Sequence, residues 1–321
     1  MRLLITGSSG QIGTNLALRA LAEGHQVWGL DSRPNGWCAD IPTIRHDLRE
    51  QHRPLREVLA EPLAQGRLDC VVHLAAHAKV HELVLQPERA LENIATLFPV
   101  LEFCREQQLP LVFGSSREVY ADIQRTIATH QTREEQADFA FTASPYSASK
   151  IAGEALIYSY AHCYDLPYLV FRFSNVYGRY DNDLERMERV IPLFIDLIRR
   201  DQEVTVFGED KILDFTYVDD CVSGVLSGIE GLVRGQLRDH TINLAYGAGN
   251  SLVQMAQYIA EALGKPLRMR ILSSQRGEVT HYVADIARAH ELLGYAPEVP
   301  LAEGIRRTVA WVVEWGERQR S

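Results

Sequence analysis

A chain of 321 residues, 46% of them hydrophobic, can bury a large core and fill one or two domains. A formal net charge of −9 without a basic run argues against nucleic-acid binding, and no stretch of 18 apolar residues offers a membrane span. Cys38, Cys70, Cys104, Cys163 and Cys221 are scattered without a CxxC pair, and the eleven histidines form no HExxH motif. The expectation is a cytoplasmic protein with reduced thiols and no metal site.

Leu3-Leu4-Ile5 reads as a short buried strand. It runs straight into Thr6-Gly7-Ser8-Ser9-Gly10-Gln11-Ile12-Gly13 and then a helical pattern at Leu16, Ala17, Ala20 and Leu21. This start is too short and too structured for a signal peptide. Strand, glycine turn and helix in that order is the context a dinucleotide-binding turn requires. Gly7 permits the tight turn, and Gly10 lets the backbone approach a pyrophosphate at the helix N-terminus, beside Gln11 and Ile12. Gly13 lets the helix pack on the strand. A second strand, Gln26-Val27-Trp28-Gly29-Leu30, ends in Asp31, whose carboxylate can accept from a ribose diol and repels a 2′-phosphate. That favours NAD over NADP, with Arg33 as a counter-signal.

Thr43 to Leu48 reads as a third strand, with Asp47 and Leu48 at its end beside a cofactor adenine. Cys70-Val71-Val72-His73-Leu74-Ala75-Ala76 is a fourth, its small Ala75 and Ala76 leaving room for the cofactor. Residues 88–108 have helical spacing, and Leu111-Val112-Phe113 is a fifth strand. It leads into Ser115-Ser116-Arg117-Glu118-Val119-Tyr120 at its C-terminal end, where open α/β sheets bind ligands. Residues 121–143 read as a surface loop. Tyr146 and Lys150 stand four apart on the next helix and share one face. An ammonium near a phenol favours the phenolate, so Tyr146 can take a proton while hydride leaves the same carbon. Tyr168 to Phe173 is a sixth strand. This rhythm predicts an α/β fold with a doubly wound parallel sheet.

The character changes after Gly178, where a second lobe is placed. A helix starts near Ile191, Val204-Thr205-Val206-Phe207 is a strand, and Asp214 to Asp220 and His240 to Ala245 are strand-like. Helices are expected at about 251–263, 285–293 and 302–317.

Taken together, the glycine turn, His73-Leu74-Ala75-Ala76, Ser115 to Tyr120, Tyr146-Ser147-Ala148-Ser149-Lys150, Arg172 to Gly178, Asp214 to Asp220 and Ala284-Asp285 through Leu293-Gly294-Tyr295 resemble the extended short-chain dehydrogenase/reductases that modify nucleotide sugars. The resemblance spans nearly the whole chain. It implies a Rossmann NAD-binding domain over 1–177, with the chain returning to it at about 212–246, and a smaller α/β nucleotide-sugar lobe over 178–321. It implies a 4-epimerase working through transient C4 oxidation. A uronate decarboxylase or 4,6-dehydratase using the same ketone is the alternative, and a non-catalytic NAD-binding regulator a remote one. The residues implied are Ser116, Tyr146, Lys150 and Glu118 for catalysis. Gly7, Gly10, Gln11, Ile12, Gly13, Asp31, Asp47, Leu48, Leu74, Ala75, Ala76 and Lys79, with Tyr146 and Lys150, fall to the cofactor, and Arg117, Asn175, Arg179 and Arg276 to the substrate. A homodimer through two helices of the first lobe is also implied. Arg117 stands where dehydratases carry an Asp as acid for C6, and a guanidinium cannot play that part. It could instead pair with a C6 carboxylate, as in a nucleotide-linked uronic acid; the alternative is that it turns away from the pocket and pairs with Glu118 or a neighbouring loop acid.

Overall fold

The computed structural model describes residues 1–50, 52–121, 131–137, 139–181, 189–274 and 279–318. Strands β1 (Arg2–Thr6), β2 (Gln26–Asp31), β3 (Thr43–Arg45), β4 (Cys70–His73), β5 (Leu111–Ser116) and β6 (Tyr168–Phe173) are joined by a much later strand, β10 (His240–Leu244). They form one seven-stranded sheet in the order β10-β6-β5-β4-β1-β2-β3. Every pairing in it is parallel. Its strands are almost wholly apolar and buried because helices cover both faces. Strand order reverses between β1 and β4, which opens a crevice at their C-terminal ends.

The first-lobe helices are α1 (Gln11–Ala22), the short α2 (Leu55–Val58) and α3 (Ala60–Ala64), α4 (Val80–Leu85), α5 (Glu88–Gln107) and α6 (Pro145–Tyr164). The expected surface loop before α6 contains two short 3₁₀ turns, Glu134–Gln136 and Phe139–Phe141. α6 starts cleanly because Ser144 caps it: its hydroxyl accepts from the Ser147 N–H, and Pro145 sits at the first turn.

The remaining strands build smaller sheets. β7 (Asn175–Tyr177) and β9 (Ile212–Tyr217) pair with each other, and β9 also pairs with β11 (Gly249–Ser251) and β13 (His281–Tyr282). β8 (Val204–Phe207) pairs with β12 (Met269–Leu272). Around them pack α7 (Val190–Arg199), α9 (Leu252–Leu263) and α11 (Leu301–Arg318), enclosing a second core that includes Phe194, Tyr217, Met255 and Ile305. α8 (Val218–Val233) and α10 (Ala287–Leu293) instead lie against the large sheet. Of the stretch 212–246, β9 therefore lies in the small sheet, and α8 and β10 with the large one. The sequence reading carried the strand through Asp220, but the chain turns helical at Val218. Asp219 and Asp220 complement the helix dipole there, and Asp220 accepts from the Glu298 and Val299 N–H groups.

Two devices tie the halves together. Asp214 is fully buried and accepts three backbone N–H bonds, from Tyr246, Gly247 and Ala284. An aromatic cluster joins the β2–β3 loop to the C-terminal helix. Trp37 packs edge-on against Trp311 and Trp315, at centroid distances of 5.4 and 4.9 Å, and Tyr180 closes the group against Trp311.

Beneath the sheet's C-terminal edge lies a buried ion pair. Arg172 of β6 donates from Nε and Nη2 to both carboxylate oxygens of Glu154 on α6, at 2.9 and 2.6 Å. The same carboxylate accepts from the Ser115 and Tyr158 hydroxyls, and Arg172 Nη1 reaches Tyr120 and the Glu134 carbonyl. Breaking one partner of a buried pair leaves an uncompensated charge. Glu154→Gln should therefore lower unfolding free energy by about 3–5 kcal/mol, read by urea denaturation; a loss under about 1 kcal/mol would refute that role.

Candidate active site

Four loops meet at the crevice. The first is the turn after β1. Gly7 has φ +72°, and a Cβ there would lie 2.6 Å from the Ala75 backbone nitrogen, so both the backbone and the neighbouring chain require glycine. A Cβ on Gly13 would stand 2.2 Å from the Gly7 carbonyl oxygen. α1 begins at Gly10 without a side-chain cap and without an acid in its first turn. Its first N–H groups and positive dipole end are therefore left for an anion.

Asp31 ends β2 and is 8% exposed. One of its carboxylate oxygens accepts from the Ser9 N–H and the other from the Arg33 N–H, both at 3.0 Å. Each oxygen keeps a lone pair for a hydroxyl. Asn35, which the sequence reading passed over, pins the following loop to the turn through the Ser8 carbonyl and the Thr14 hydroxyl. Its carbonyl oxygen also accepts from the Trp37 and Cys38 N–H groups. An Asn followed closely by Trp and Cys in a short β2–β3 loop was the available signal.

Leu74, Ala75 and Ala76 follow β4 and are partly exposed on the crevice side, next to Gly7. Leu48 is buried behind β3, whereas the Asp47 carboxylate is engaged by the Arg49 side chain, which holds it below the usual carboxylate range. Lys79 begins α4 with its ammonium 3.6 Å from Glu82. These residues fit a dinucleotide: a glycine cradle, an uncapped helix end for the pyrophosphate and a carboxylate for the ribose.

The reacting groups stand at the end of β5 and on α6. The Ser116 hydroxyl accepts from the Glu118 N–H, and its side chain stands by the Tyr146 phenol closely enough to act on it. Lys150 lies one turn on, its ammonium donating to the Gly114 carbonyl at 2.7 Å and standing 5.9 Å from the Tyr146 ring centroid. Burial holds Lys150 down to about 8. The expectation of a Tyr146 phenol tuned downward by Lys150 is not met. Burial pushes it up to about 12, opposed chiefly by the neighbouring Ser116 side chain, because the lysine aims at a carbonyl rather than at the phenol oxygen. Glu154, missed in the sequence, continues the row Tyr146, Lys150, Glu154 at four-residue spacing, and that row was the signal.

The substrate candidates are less uniform. Arg117 is partly buried beside the buried Glu118, its Nη2 2.9 Å from the carboxylate. Asn175 donates to the Asp214 carbonyl at 2.9 Å. Arg179 turns to Asp219 on α8, at 2.6 Å, and lines a small cavity with Asn15 and Tyr180. Gln11 reaches across to the Gly178 carbonyl and accepts from Arg189, so it bridges the cofactor turn and the segment after β7. Arg276 lies outside the described residues. The described residues contain a Glu23, His25 and Glu230 group with metal-compatible spacing, well away from this crevice on the ends of α1 and α8.

A model of the NAD dependent epimerase/dehydratase family matches residues 3–245. A UDP-glucose 4-epimerase of Mycolicibacterium smegmatis is 30% identical over 96% of this chain and 97% of its own. A probable UDP-glucuronate 4-epimerase of Rhizobium meliloti is 28% identical over 97% and 96%. Among solved structures, the Bacillus cereus UDP-glucuronic acid 4-epimerase, in complex with UDP-glucuronic acid and NAD, superposes with a TM-score of 0.85 at 25% identity. It covers 98% of this chain and 100% of its own. Titration with the two dinucleotides should give tighter binding for NAD than for NADP, because the Asp31 carboxylate opposes a 2′-phosphate; tighter NADP binding would displace that reading.

Proposed function

The chain belongs to the NAD dependent epimerase/dehydratase family, and on that premise we propose that it is a nucleotide-sugar 4-epimerase acting on a UDP-linked hexose. The observation that carries the reading is the buried grouping of Ser116 at the end of β5 with Tyr146 and Lys150 one helical turn apart on α6, the lysine held on the Gly114 carbonyl. When bound, NAD supplies the hydride acceptor and donor. Tyr146 would act as its phenolate, which the positive charge of a bound nicotinamide and the nearby Lys150 ammonium would favour against burial, taking the proton from the C4 hydroxyl and later returning it. Ser116 would hold the reacting oxygen; Lys150, which holds α6 on β5 through the Gly114 carbonyl, would also be the residue to hold the nicotinamide ribose. The 4-keto sugar then presents its other face. Gly7 to Gly13 with Asp31, Asp47, Leu48, Leu74, Ala75, Ala76 and Lys79 hold the cofactor, and Asn175, Arg179 and Arg276 the nucleotide sugar. Full relatives of this length named as 4-epimerases support an isomerase over a lyase.

The cofactor half is taken as 1–177 with α8 and β10, and the rest as the sugar-binding lobe. A homodimer through α4 and α5 is supported by Leu85, Leu91 and Phe98, which remain exposed. A cytoplasmic location is supported by five free cysteines and by the absence, among the described residues, of a helix long and apolar enough to cross a membrane.

Incubation with UDP-hexoses should give a product of unchanged mass and altered C4 coupling by NMR; loss of water or carbon dioxide would make the enzyme a lyase. Tyr146→Phe should lower kcat by about 10²–10⁴-fold while NAD titrates normally. More than about a tenth of wild-type rate would mean another base.

A further inference from the structure

Arg117 carries an unspent hydrogen-bond donor where a buried guanidinium rarely leaves one. Its side chain is 12% exposed, Nη2 is taken by Glu118 at 2.9 Å, and Nη1 is buried with no partner among the described residues. The Tyr282 ring faces the guanidinium, 5.7 Å from Cζ to centroid, and the Tyr282 hydroxyl is likewise buried and, among the described residues, unpartnered. Asp214 is the other acid nearby, but its carboxylate accepts from the Tyr246, Gly247 and Ala284 N–H groups rather than from Arg117. A buried donor without an acceptor costs free energy, and two on touching side chains mark a place where an acceptor is missing.

That place is beside the reacting groups. Arg117 follows Ser116 directly, and its charge acts on the Tyr146 phenol. In a hexose whose O4 is held by Ser116 and Tyr146, the exocyclic C6 is attached to the carbon next to C4. A C6 carboxylate is therefore the anion a hexose can bring nearest to O4. Guanidinium suits a carboxylate through parallel N–H bonds, and a partly desolvated site strengthens them.

Resting on the nucleotide-sugar reading, we propose that Arg117 is a specificity residue whose free Nη1, with the Tyr282 hydroxyl, binds the C6 carboxylate of a nucleotide-linked uronic acid. Glu118 fills the other side of the guanidinium and fixes its plane. Neutral hexoses leave Nη1 unpaired in the complex and are the poorer substrates for that reason.

The test is epimerisation of UDP-glucuronate and UDP-glucose by wild type, Arg117→Ala and Arg117→Lys, with NAD binding measured for each. Wild type should favour the uronate. Arg117→Ala should lose about ten- to a hundredfold more in kcat/KM on UDP-glucuronate than on UDP-glucose. Arg117→Lys keeps the charge without the planar fork, so it should fall between the two and guards against a folding defect in the alanine variant. Equal losses on both sugars, or a wild type that prefers UDP-glucose, would overturn the assignment while leaving the epimerase reading intact. No turnover of either sugar by a protein that still binds NAD would overturn the epimerase reading, and the Arg117 role with it.

Discussion

The geometry of this molecule depends on one buried charge. Arg172 projects from β6, near the C-terminal edge of the large sheet, into a region with almost no water, and it is tolerated there only because Glu154 meets it with both oxygens. The consequences spread along the backbone. Glu154 belongs to the helix that carries Tyr146 and Lys150, and the Ser115 hydroxyl bonded to it precedes Ser116. The helix therefore cannot rotate or slide on β5 without breaking a bidentate contact. Specificity of position, rather than stability, is the natural use of such a pair.

A second constraint concerns the backbone alone. α1, the β1 turn and the end of β4 approach so closely that side chains are excluded at Gly7 and Gly13. Gln11, at the start of that helix, then reaches Gly178 and Arg189. The dinucleotide turn and the chain segment leading into the second lobe are thus one hydrogen-bonded unit. Cofactor binding and the placement of the sugar lobe share atoms.

Much of this was legible in the residues. Parallel strands buried on both faces read as unbroken apolar runs, and the glycine spacing and the Tyr146–Lys150 interval are local patterns. What was not legible depends on partners distant in sequence. Nothing around Asp214 announces that it gathers N–H groups from residues 246, 247 and 284. The helix start at Val218 was hidden because Val218 prolongs an apolar strand pattern while its tertiary neighbours favour a helix. The Tyr146 phenol was misjudged because residue spacing gives the direction of a lysine only to within a helix face, whereas burial acts on the phenol whatever the lysine does. Glu154 sat in plain view on the same helical row, but its importance needed the strand that carries Arg172.

Three of the four tryptophans, Trp37, Trp311 and Trp315, sit in the one aromatic cluster between the cofactor loop and the C-terminal helix. Indole rings at such separations exchange excitation, and their emission overlaps the absorption band of a reduced nicotinamide. The untagged protein therefore carries an optical gauge at the seam of its two halves. Its emission colour reports whether the seam is dry, and its quenching reports which redox form of the cofactor lies nearby.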